Sequence, residues 1–234
     1  MNKNIVITGC NRGLGAGIRD EFLKKGDIVY GINKTLSQDL TTLHESYYET
    51  NFDVSNFDEL KRKELKEFVP ENIDVLILNA GIRRFETIKD MNIKDWIDSV
   101  NTNLNGVFNI TNLLIENVIK SKGDIIIIGS HSEKYTFEMG SAYCSTKGSL
   151  KEFSECLMHE VRYDDVRVSY LSLGSIKNRD HGGDEEWKLK PSEVGKTICE
   201  LVSLPKNVMI PYLDVRPAKP LRDEKSGIER LQYV

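Results

Sequence analysis

The sequence predicts a single three-layer α/β/α domain with a doubly wound parallel β-sheet. Short runs of isoleucine, valine and leucine alternate with longer amphipathic stretches along the whole chain. Continuous apolar strands of this kind are typical of a parallel sheet that helices cover on both faces. No repeat, low-complexity segment or linker divides the 234 residues, so we expect one domain over residues 1–234.

Seven segments are predicted as strands because they are short and mostly apolar, and turn residues flank them. In chain order the expected strands are Ile5–Thr8, Ile28–Ile32, Tyr47–Thr50, Ile73–Leu78, Asp124–Ile128, Val166–Leu171 and Val208–Ile210. Ligands of an open α/β sheet bind beyond the carboxyl ends of its strands, so functional residues are expected directly after these segments.

Five amphipathic segments between the strands are predicted as helices. In the third of them, Trp96, Val100 and Leu104 recur at helical spacing. The expected helices are Gly13–Lys25, Asn56–Phe68, Ile93–Ile119, Ala142–Val161 and Ser192–Val202. Their alternation with the strands favours parallel pairing through helical crossovers.

The composition predicts a cytoplasmic, water-soluble protein. No apolar run approaches the ~20 residues that span a bilayer, and the chain enters its first strand at Ile5 without room for a secretory signal. A formal net charge of −4 argues against general affinity for nucleic acid. The four cysteines lack C-x-x-C spacing, so free thiols are expected rather than disulfides or a metal site.

A glycine-rich turn joins the first strand to the first helix, with the sequence Thr8-Gly9-Cys10-Asn11-Arg12-Gly13-Leu14-Gly15. Binding of a pyrophosphate requires exposed backbone N–H groups, close approach without a Cβ atom, and a helix N-terminus. This turn can meet all three conditions. Taken alone, it could also be an ordinary strand-to-helix connection that happens to be rich in glycine.

Further residues follow the glycine turn in a fixed order. They are Asp53-Val54, Asn79-Ala80-Gly81 after a strand, Asn103 seven residues after Trp96, Ser130 at a strand end, Tyr143 thirteen residues later, and Lys147, which completes Y-x-x-x-K. With the spacing of the glycine turn, this set resembles the compact short-chain dehydrogenase/reductase family over residues 5–176. The resemblance implies a Rossmann-like fold and an oxidoreductase that uses a nicotinamide cofactor.

The resemblance also implies the catalytic roles. Tyr143 exchanges a proton with the carbonyl or alcohol oxygen, which Ser130 orients. Lys147 binds the nicotinamide ribose, and Asn103 holds a water that connects Lys147 to solvent. Tyr143 and Lys147 lie four residues apart and so share one helix face. The lysine ammonium is therefore expected to lower the tyrosine pKa from its reference value of about 10.

Cofactor contacts are expected from the residues that match the family's pattern. These are Thr8, Gly9, Asn11, Arg12, Gly13, Leu14, Gly15, Asn33, Lys34, Asp53, Val54, Asn79, Ala80, Gly81, Tyr143, Lys147, Gly174 and Ile176. After the sixth strand the chain reads Leu173-Gly174-Ser175-Ile176 and lacks the family's usual proline, so this part of the cofactor site departs from the pattern.

NADP(H) is the expected cofactor, with NAD(H) as the alternative. Asn33 stands where NAD users of the family carry an acid that clasps the ribose hydroxyls. Arg12 and Lys34 can both reach a 2′-phosphate, although either could instead be a solvent-facing charge. Because cells keep NADP largely reduced, carbonyl reduction is the expected direction.

The substrate is expected to be a small polar molecule. The predicted lid, residues 175–190, is short and polar and would cover a bulky apolar substrate poorly. Possible pocket residues are Arg83 and Arg84, which could attract an anion, together with His131 and Trp187. None of them identifies the substrate.

The sequence leaves two alternative functions and the oligomeric state open. One alternative is a 3-oxoacyl-carrier-type reductase, and the other is an NADP-binding regulator with little turnover. Family resemblance also implies a homodimer or homotetramer assembled through the helices at Ile93–Ile119 and Ala142–Val161. No nucleic-acid, membrane or metal partner is expected.

Overall fold

A computed structural model describes residues 2–37, 44–177 and 186–219 of the chain. Seven strands form one sheet in the order β3-β2-β1-β4-β5-β6-β7, and every neighbouring pair is parallel. Their bounds are β1 Asn4–Thr8, β2 Ile28–Asn33, β3 Tyr47–Asn51, β4 Val75–Leu78, β5 Asp124–Ile128, β6 Arg167–Leu173 and β7 Tyr212–Val215. The strand order reverses between β1 and β4, which is where ligands of doubly wound sheets bind.

Six helices cover the two faces of the sheet in the described parts of the chain. They are α1 Gly13–Lys24, α2 Glu59–Phe68, α3 Ile93–Val100, α4 Gly106–Ser121, α5 Ser141–Val161 and α6 Pro191–Leu201. Successive side chains of a strand point to opposite faces, so Val6 joins one buried cluster and Ile5 and Ile7 join the other. The expected doubly wound, Rossmann-like fold is confirmed.

Helices α1 and α6 lie against each other with almost nothing between their backbones. A Cβ atom on Gly17 would lie 2.3 Å from the Cβ of Pro191, and one on Gly195 would lie 2.9 Å from the Gly17 carbonyl oxygen. Gly17 therefore serves helix packing and not the glycine turn. Because α6 begins at Pro191, this contact also fixes the chain that follows the predicted lid.

The predicted helix at Ile93–Ile119 is interrupted. A π-helical turn at Asn101–Asn105 separates α3 from α4, and the Gly106 N–H donates to the Asn101 carbonyl five residues earlier. One extra residue is thereby accommodated in the middle of the helix.

The predicted last strand was misplaced, because β7 is Tyr212–Val215 and Val208–Ile210 is not a strand. The Val208 carbonyl accepts a hydrogen bond from Arg167, at 3.0 Å, and the Ile210 carbonyl accepts one from Ser169, at 2.7 Å. The Arg167 and Ser169 side chains of β6 thus bind the backbone of this segment. Pairing of the last strand with β6 begins at Tyr212.

The base of the predicted lid is closed by backbone contacts. Ile176 and Leu189 form an isolated parallel bridge, with Lys177 N donating to Leu189 O at 2.8 Å and Leu189 N to Ser175 O at 3.0 Å. The rest of the lid prediction, residues 178–185, lies outside the described residues. Among the residues that are described, no helix is long and apolar enough to cross a membrane.

Candidate active site

The glycine turn has a backbone that only glycine adopts easily. Gly9 and Gly13 have φ values of +66° and +56°, in the left-handed region. A Cβ atom on Gly15 would lie 2.1 Å from the Gly9 carbonyl oxygen, so the turn is folded tightly onto the start of α1. Arg12, at the N-cap of α1, makes no side-chain cap, and the first turn holds no acidic residue. The N–H groups at this end of α1 are thus left for an anion, and the turn fits a pyrophosphate.

Thr8 and Asn79 connect the ends of β1 and β4 at the position where the strand order reverses. The Thr8 hydroxyl accepts hydrogen bonds from the N–H groups of Asn79 and Ala80, both at 2.9 Å. In return the Asn79 side chain donates to the carbonyls of Thr8, at 3.0 Å, and Gly9, at 2.8 Å. Both side chains therefore hold the backbone of the glycine turn to the chain that follows β4.

Asn33, at the end of β2, is buried in a hydrogen-bond network of its own. Its Oδ1 accepts from Cys10 N at 2.8 Å, and its Nδ2 donates to Tyr47 Oη at 3.1 Å and Glu49 Oε2 at 2.8 Å. Both polar atoms of the Asn33 side chain are therefore used to hold the glycine turn to β3. Glu49 carries no motif in the sequence; its place in this network follows from the pairing of β2 with β3, which sets Gly31 opposite Glu49.

The two basic residues at the adenosine end of the site, Lys34 and Arg12, differ in their ion-pair partners. Lys34 Nζ lies 2.7 Å from Asp53 Oδ2, so this lysine already has an acidic partner. Arg12 is exposed and forms no ion pair with a described residue. Asn11 donates to Thr35 O at 2.6 Å, and Val54 is buried against the start of α4, where a Cβ on Gly106 would lie 2.7 Å from Val54 Cγ2.

Ser130, Tyr143 and Lys147 come together beyond the end of β5. Ser130 lies between β5 and a 3₁₀ turn at His131–Glu133, and the other two lie one turn apart at the start of α5. The Ser130 side chain is close enough to the Tyr143 hydroxyl to act as its hydrogen-bond partner. Lys147 Nζ donates to Ile128 O at 2.8 Å and lies 5.8 Å from the centroid of the Tyr143 ring.

Burial controls the pKa values of this pair. The pKa of Lys147 falls to about 8 because burial disfavours its ammonium, while the charge of Glu133 acts in the opposite direction. Burial raises the pKa of Tyr143, although Ser130 and the positive charge of Arg83 act to lower it. The tyrosine pKa was expected to be lowered by Lys147; in the protein without cofactor it is raised instead, because burial is the largest effect on it.

Asn103 lies in the π-helical turn and is almost fully buried. Its Oδ1 accepts from Ile82 N at 2.7 Å, while its Nδ2 donates to Ile82 O at 2.9 Å and to Thr146 Oγ1 at 3.2 Å. The side chain thus joins the segment after Gly81 to α5, one residue before Lys147. Nothing in the sequence pattern indicated the π-helical turn that places it there.

Aromatic rings form one wall beside Tyr143. The Phe85 ring packs edge-on against Phe137, at 5.3 Å, and against Tyr143, at 5.7 Å between centroids. Glu86 N donates to Met139 O at 2.9 Å and holds this wall together. Phe85 follows the Asn79-Ala80-Gly81 motif at a distance that the sequence alone did not connect with the site.

His131 faces away from this wall and toward the edge of the sheet. It is buried, and its Nε2 lies 2.7 Å from Asp214 Oδ1 on β7. Arg216 pairs with the same carboxylate at 2.6 Å. At the end of β6, a Cβ on Gly174 would lie 3.1 Å from His131 Cε1, so His131 also packs under the chain that leads to Ile176.

Comparisons with known proteins agree with this geometry. A family model described as short chain dehydrogenase matches residues 3–188. The 3-oxoacyl-[acyl-carrier-protein] reductase FabG of Buchnera aphidicola subsp. Baizongia pistaciae is 34% identical over 75% of this chain and 74% of its own. The NADP-dependent 3-hydroxy acid dehydrogenase of Schizosaccharomyces pombe is 29% identical over 89% of this chain and 90% of its own. The crystal structure of serine dehydrogenase from Escherichia coli is 27% identical, with a TM-score of 0.79, and covers 92% of this chain and 97% of that one.

Proposed function

Because the chain belongs to the short-chain dehydrogenase family of oxidoreductases, we propose that it interconverts a carbonyl and a secondary alcohol on a small polar substrate with NADP(H). The observation that carries the proposal is the meeting of Ser130, Tyr143 and the buried Lys147 at the carboxyl end of the sheet. The uncapped start of α1 lies at the same end. A phosphate-bearing cofactor and a proton-transferring group can therefore act on one substrate.

Tyr143 transfers the proton in this proposal. Its hydroxyl gives a proton to the carbonyl oxygen during reduction and takes it back during oxidation, while the nicotinamide, when bound, supplies or accepts the hydride. The Ser130 hydroxyl hydrogen-bonds the same substrate oxygen and stabilises it as its charge changes.

Lys147 contributes a positive charge next to the Tyr143 ring. One of its three N–H donors is used by the Ile128 carbonyl, which leaves two for ribose hydroxyls. With a pKa of about 8, most Lys147 side chains are protonated at neutral pH. Asn103, whose side chain is occupied by Ile82, is proposed to contribute through its backbone to the water that links Lys147 to solvent.

NADP(H) is supported over NAD(H) by the charges around the adenosine end. Arg12 is exposed beside the glycine turn, whereas Lys34 is held by Asp53 and would have to exchange partners to bind a phosphate. The relative from Schizosaccharomyces pombe is named NADP-dependent. Arg12 is therefore the residue proposed to bind the 2′-phosphate, and carbonyl reduction is the proposed direction.

A second candidate is a 3-oxoacyl-carrier reductase, which the 34% identity to a FabG protein favours. The substrate in that relative's name is bound to an acyl carrier protein, so a reductase of this kind would accept carrier-bound substrates far better than free ones. Comparing a 3-oxoacyl group on its carrier with the same group as a free acid separates the two candidates.

We also propose self-association through α3, α4 and α5, as a homodimer or homotetramer. Of these helices, α3 exposes Ile93 and Ile97 and α4 exposes Phe108, which are 71%, 47% and 49% accessible in the single chain. Light scattering on the purified protein measures its mass, and a monomer at all concentrations would contradict this assembly.

The proposal is tested by fluorescence titration with NADPH and NADH, followed by a panel of small carbonyl compounds. We expect tighter binding of NADPH and turnover that falls at least about 100-fold in Tyr143→Phe. The variant should bind NADPH as the unaltered protein does. Tight NADPH binding without turnover on any carbonyl would favour a regulator, and a preference for NADH would contradict the role of Arg12.

A further inference from the structure

Building on the proposed oxidoreductase activity, we propose that Arg83 binds a carboxylate of the substrate and makes this enzyme specific for hydroxy or oxo acids. Five features carry the inference: how the segment is anchored, the lack of an acidic partner, the effect of the Arg83 charge on Tyr143, the neighbouring aromatic wall, and the chemistry of a guanidinium group.

Arg83 lies between two residues that are fixed to the active site. On one side, Ile82 is held by both side-chain atoms of Asn103, at 2.7 and 2.9 Å. On the other side, Phe85 packs on Tyr143, and Glu86 N is bonded to Met139 O at 2.9 Å. The backbone of Arg83 is thus anchored on one side to Asn103 and on the other to the Tyr143 ring.

The two arginines of this segment have different surroundings. Arg84 is paired with Asp95 on α3, where Nε and Oδ1 are 3.0 Å apart, so its charge is already balanced. Arg83 is exposed and forms no ion pair with any residue in the described ranges. The nearest acid along the chain, Glu86, accepts a hydrogen bond from Thr87 N at 3.0 Å. Of these two arginines, Arg83 therefore offers the positive charge that no described acid balances.

The positive charge of Arg83 is close enough to Tyr143 to lower the pKa of its hydroxyl, against the effect of burial. Arg84 has no such influence, although it is the next residue. Of the two arginines of this segment, Arg83 is therefore the one whose charge acts on the reacting hydroxyl. An anionic group bound there would be part of a substrate whose oxygen meets Tyr143.

A guanidinium recognises a carboxylate through two parallel N–H donors, and this match is stronger where water is limited. Phe85, two residues further along the same segment, forms an apolar wall with Phe137. A neutral ketone or ester leaves the cation without a partner once the site is filled. Discrimination against neutral analogues follows from that difference.

The test uses 2-hydroxybutanoate and 3-hydroxybutanoate, each beside its methyl ester, with the full-length protein and NADP⁺. The unaltered enzyme should prefer at least one acid over its ester. Arg83→Gln should lower kcat/KM for that acid about 10- to 100-fold, mainly through KM, and change the ester by less than about 2-fold. Arg83→Lys should recover part of the loss.

Arg84→Gln is the matched control, and it should leave the ratio of acid to ester unchanged. Thermal unfolding and NADPH titration of each variant establish that fold and cofactor binding are intact. An unchanged ratio in an active Arg83→Gln enzyme would overturn the inference while leaving the oxidoreductase function in place. With NADPH in place of NADP⁺, dihydroxyacetone phosphate and dihydroxyacetone are compared as ketones to be reduced. A loss seen only with the phosphate would also overturn the inference, since that result assigns Arg83 to phosphate. Absence of turnover by the unaltered enzyme on every substrate would instead count against the proposed function.

Discussion

Replacing Lys147 by methionine is expected to make the cofactor-free protein more stable near neutral pH while abolishing its activity. Lys147 is 6% exposed, and burial lowers its pKa from 10.5 to about 8. This difference corresponds to about 3 kcal/mol by which burial of the ammonium destabilises the folded state. Loss of the hydrogen bond to the Ile128 carbonyl offsets about 1–2 kcal/mol of that gain. The net stabilisation is therefore about 1–2 kcal/mol at pH near 7.

The pH dependence has a definite sign. Between pH 8 and 10.5 the unfolded chain keeps the Lys147 proton and the folded protein releases it, so the unaltered protein gains stability as pH rises. By about pH 9.5 this gain reaches about 2 kcal/mol, which cancels the advantage of the variant. We expect Lys147→Met to be the more stable protein near pH 7 and to lose that advantage by pH 9.5.

Urea unfolding of both proteins at these two pH values measures the effect. Lys151→Met is the control, because Lys151 lies one turn further along α5 and is exposed. It should change the free energy of unfolding by less than about 0.5 kcal/mol at either pH. A difference between Lys147→Met and the unaltered protein that does not vary with pH would refute the reasoning.

Two further predictions concern the turn and the edge of the sheet. Gly15→Ala places a methyl group 2.1 Å from the Gly9 carbonyl, so the turn must shift, and we expect at least about 10-fold weaker NADPH binding by fluorescence titration. Gly148→Ala, where a Cβ meets no atom within 4 Å, should bind NADPH normally, and equal binding by both variants would contradict this account of the turn. For Asp214, the hydrogen bond from Arg216 lowers the carboxyl pKa to about 2, so its contribution to stability is present above pH about 4 and is lost as pH falls toward 2. Asp214→Asn should therefore unfold more easily at neutral pH, by about 1 kcal/mol after solvent screening, and this deficit should shrink in acid; a deficit of equal size at both pH values would rule the explanation out.

Much of the fold could be predicted from the sequence because its strands are plainly apolar. The strand at Asp124–Ile128 was predicted with its observed bounds, since a run of isoleucines between turn residues has no other common structure. The strand at Val208–Ile210 was wrong because its carbonyls bind the Arg167 and Ser169 side chains, which are distant in sequence. Local pattern carries no information about such contacts.

The site was less completely predictable than the fold. The resemblance to the family's ordered motifs predicted Ser130, Tyr143 and Lys147 as catalytic residues, and the fold brings the three to one end of the sheet. The resemblance did not indicate that Asn33 is turned inward to Cys10 and Glu49, since this depends on how β2 and β3 pair. The raised pKa of Tyr143 was likewise beyond the sequence, because it reflects how far the folded protein removes the hydroxyl from water.

The π-helical turn at Asn101–Asn105 limits how this chain can change in length. That turn holds one residue more than a regular helix would need to connect α3 with α4. Removing one residue there would restore a regular helix and leave the later side chains of α4 on their present face, so Ile110, Leu114 and Val118 would stay buried. What the deletion would change is the position of Asn103, from which its side chain binds Ile82 and Thr146. The extra residue therefore serves the site and not the core, and its loss would be felt at Asn103 first.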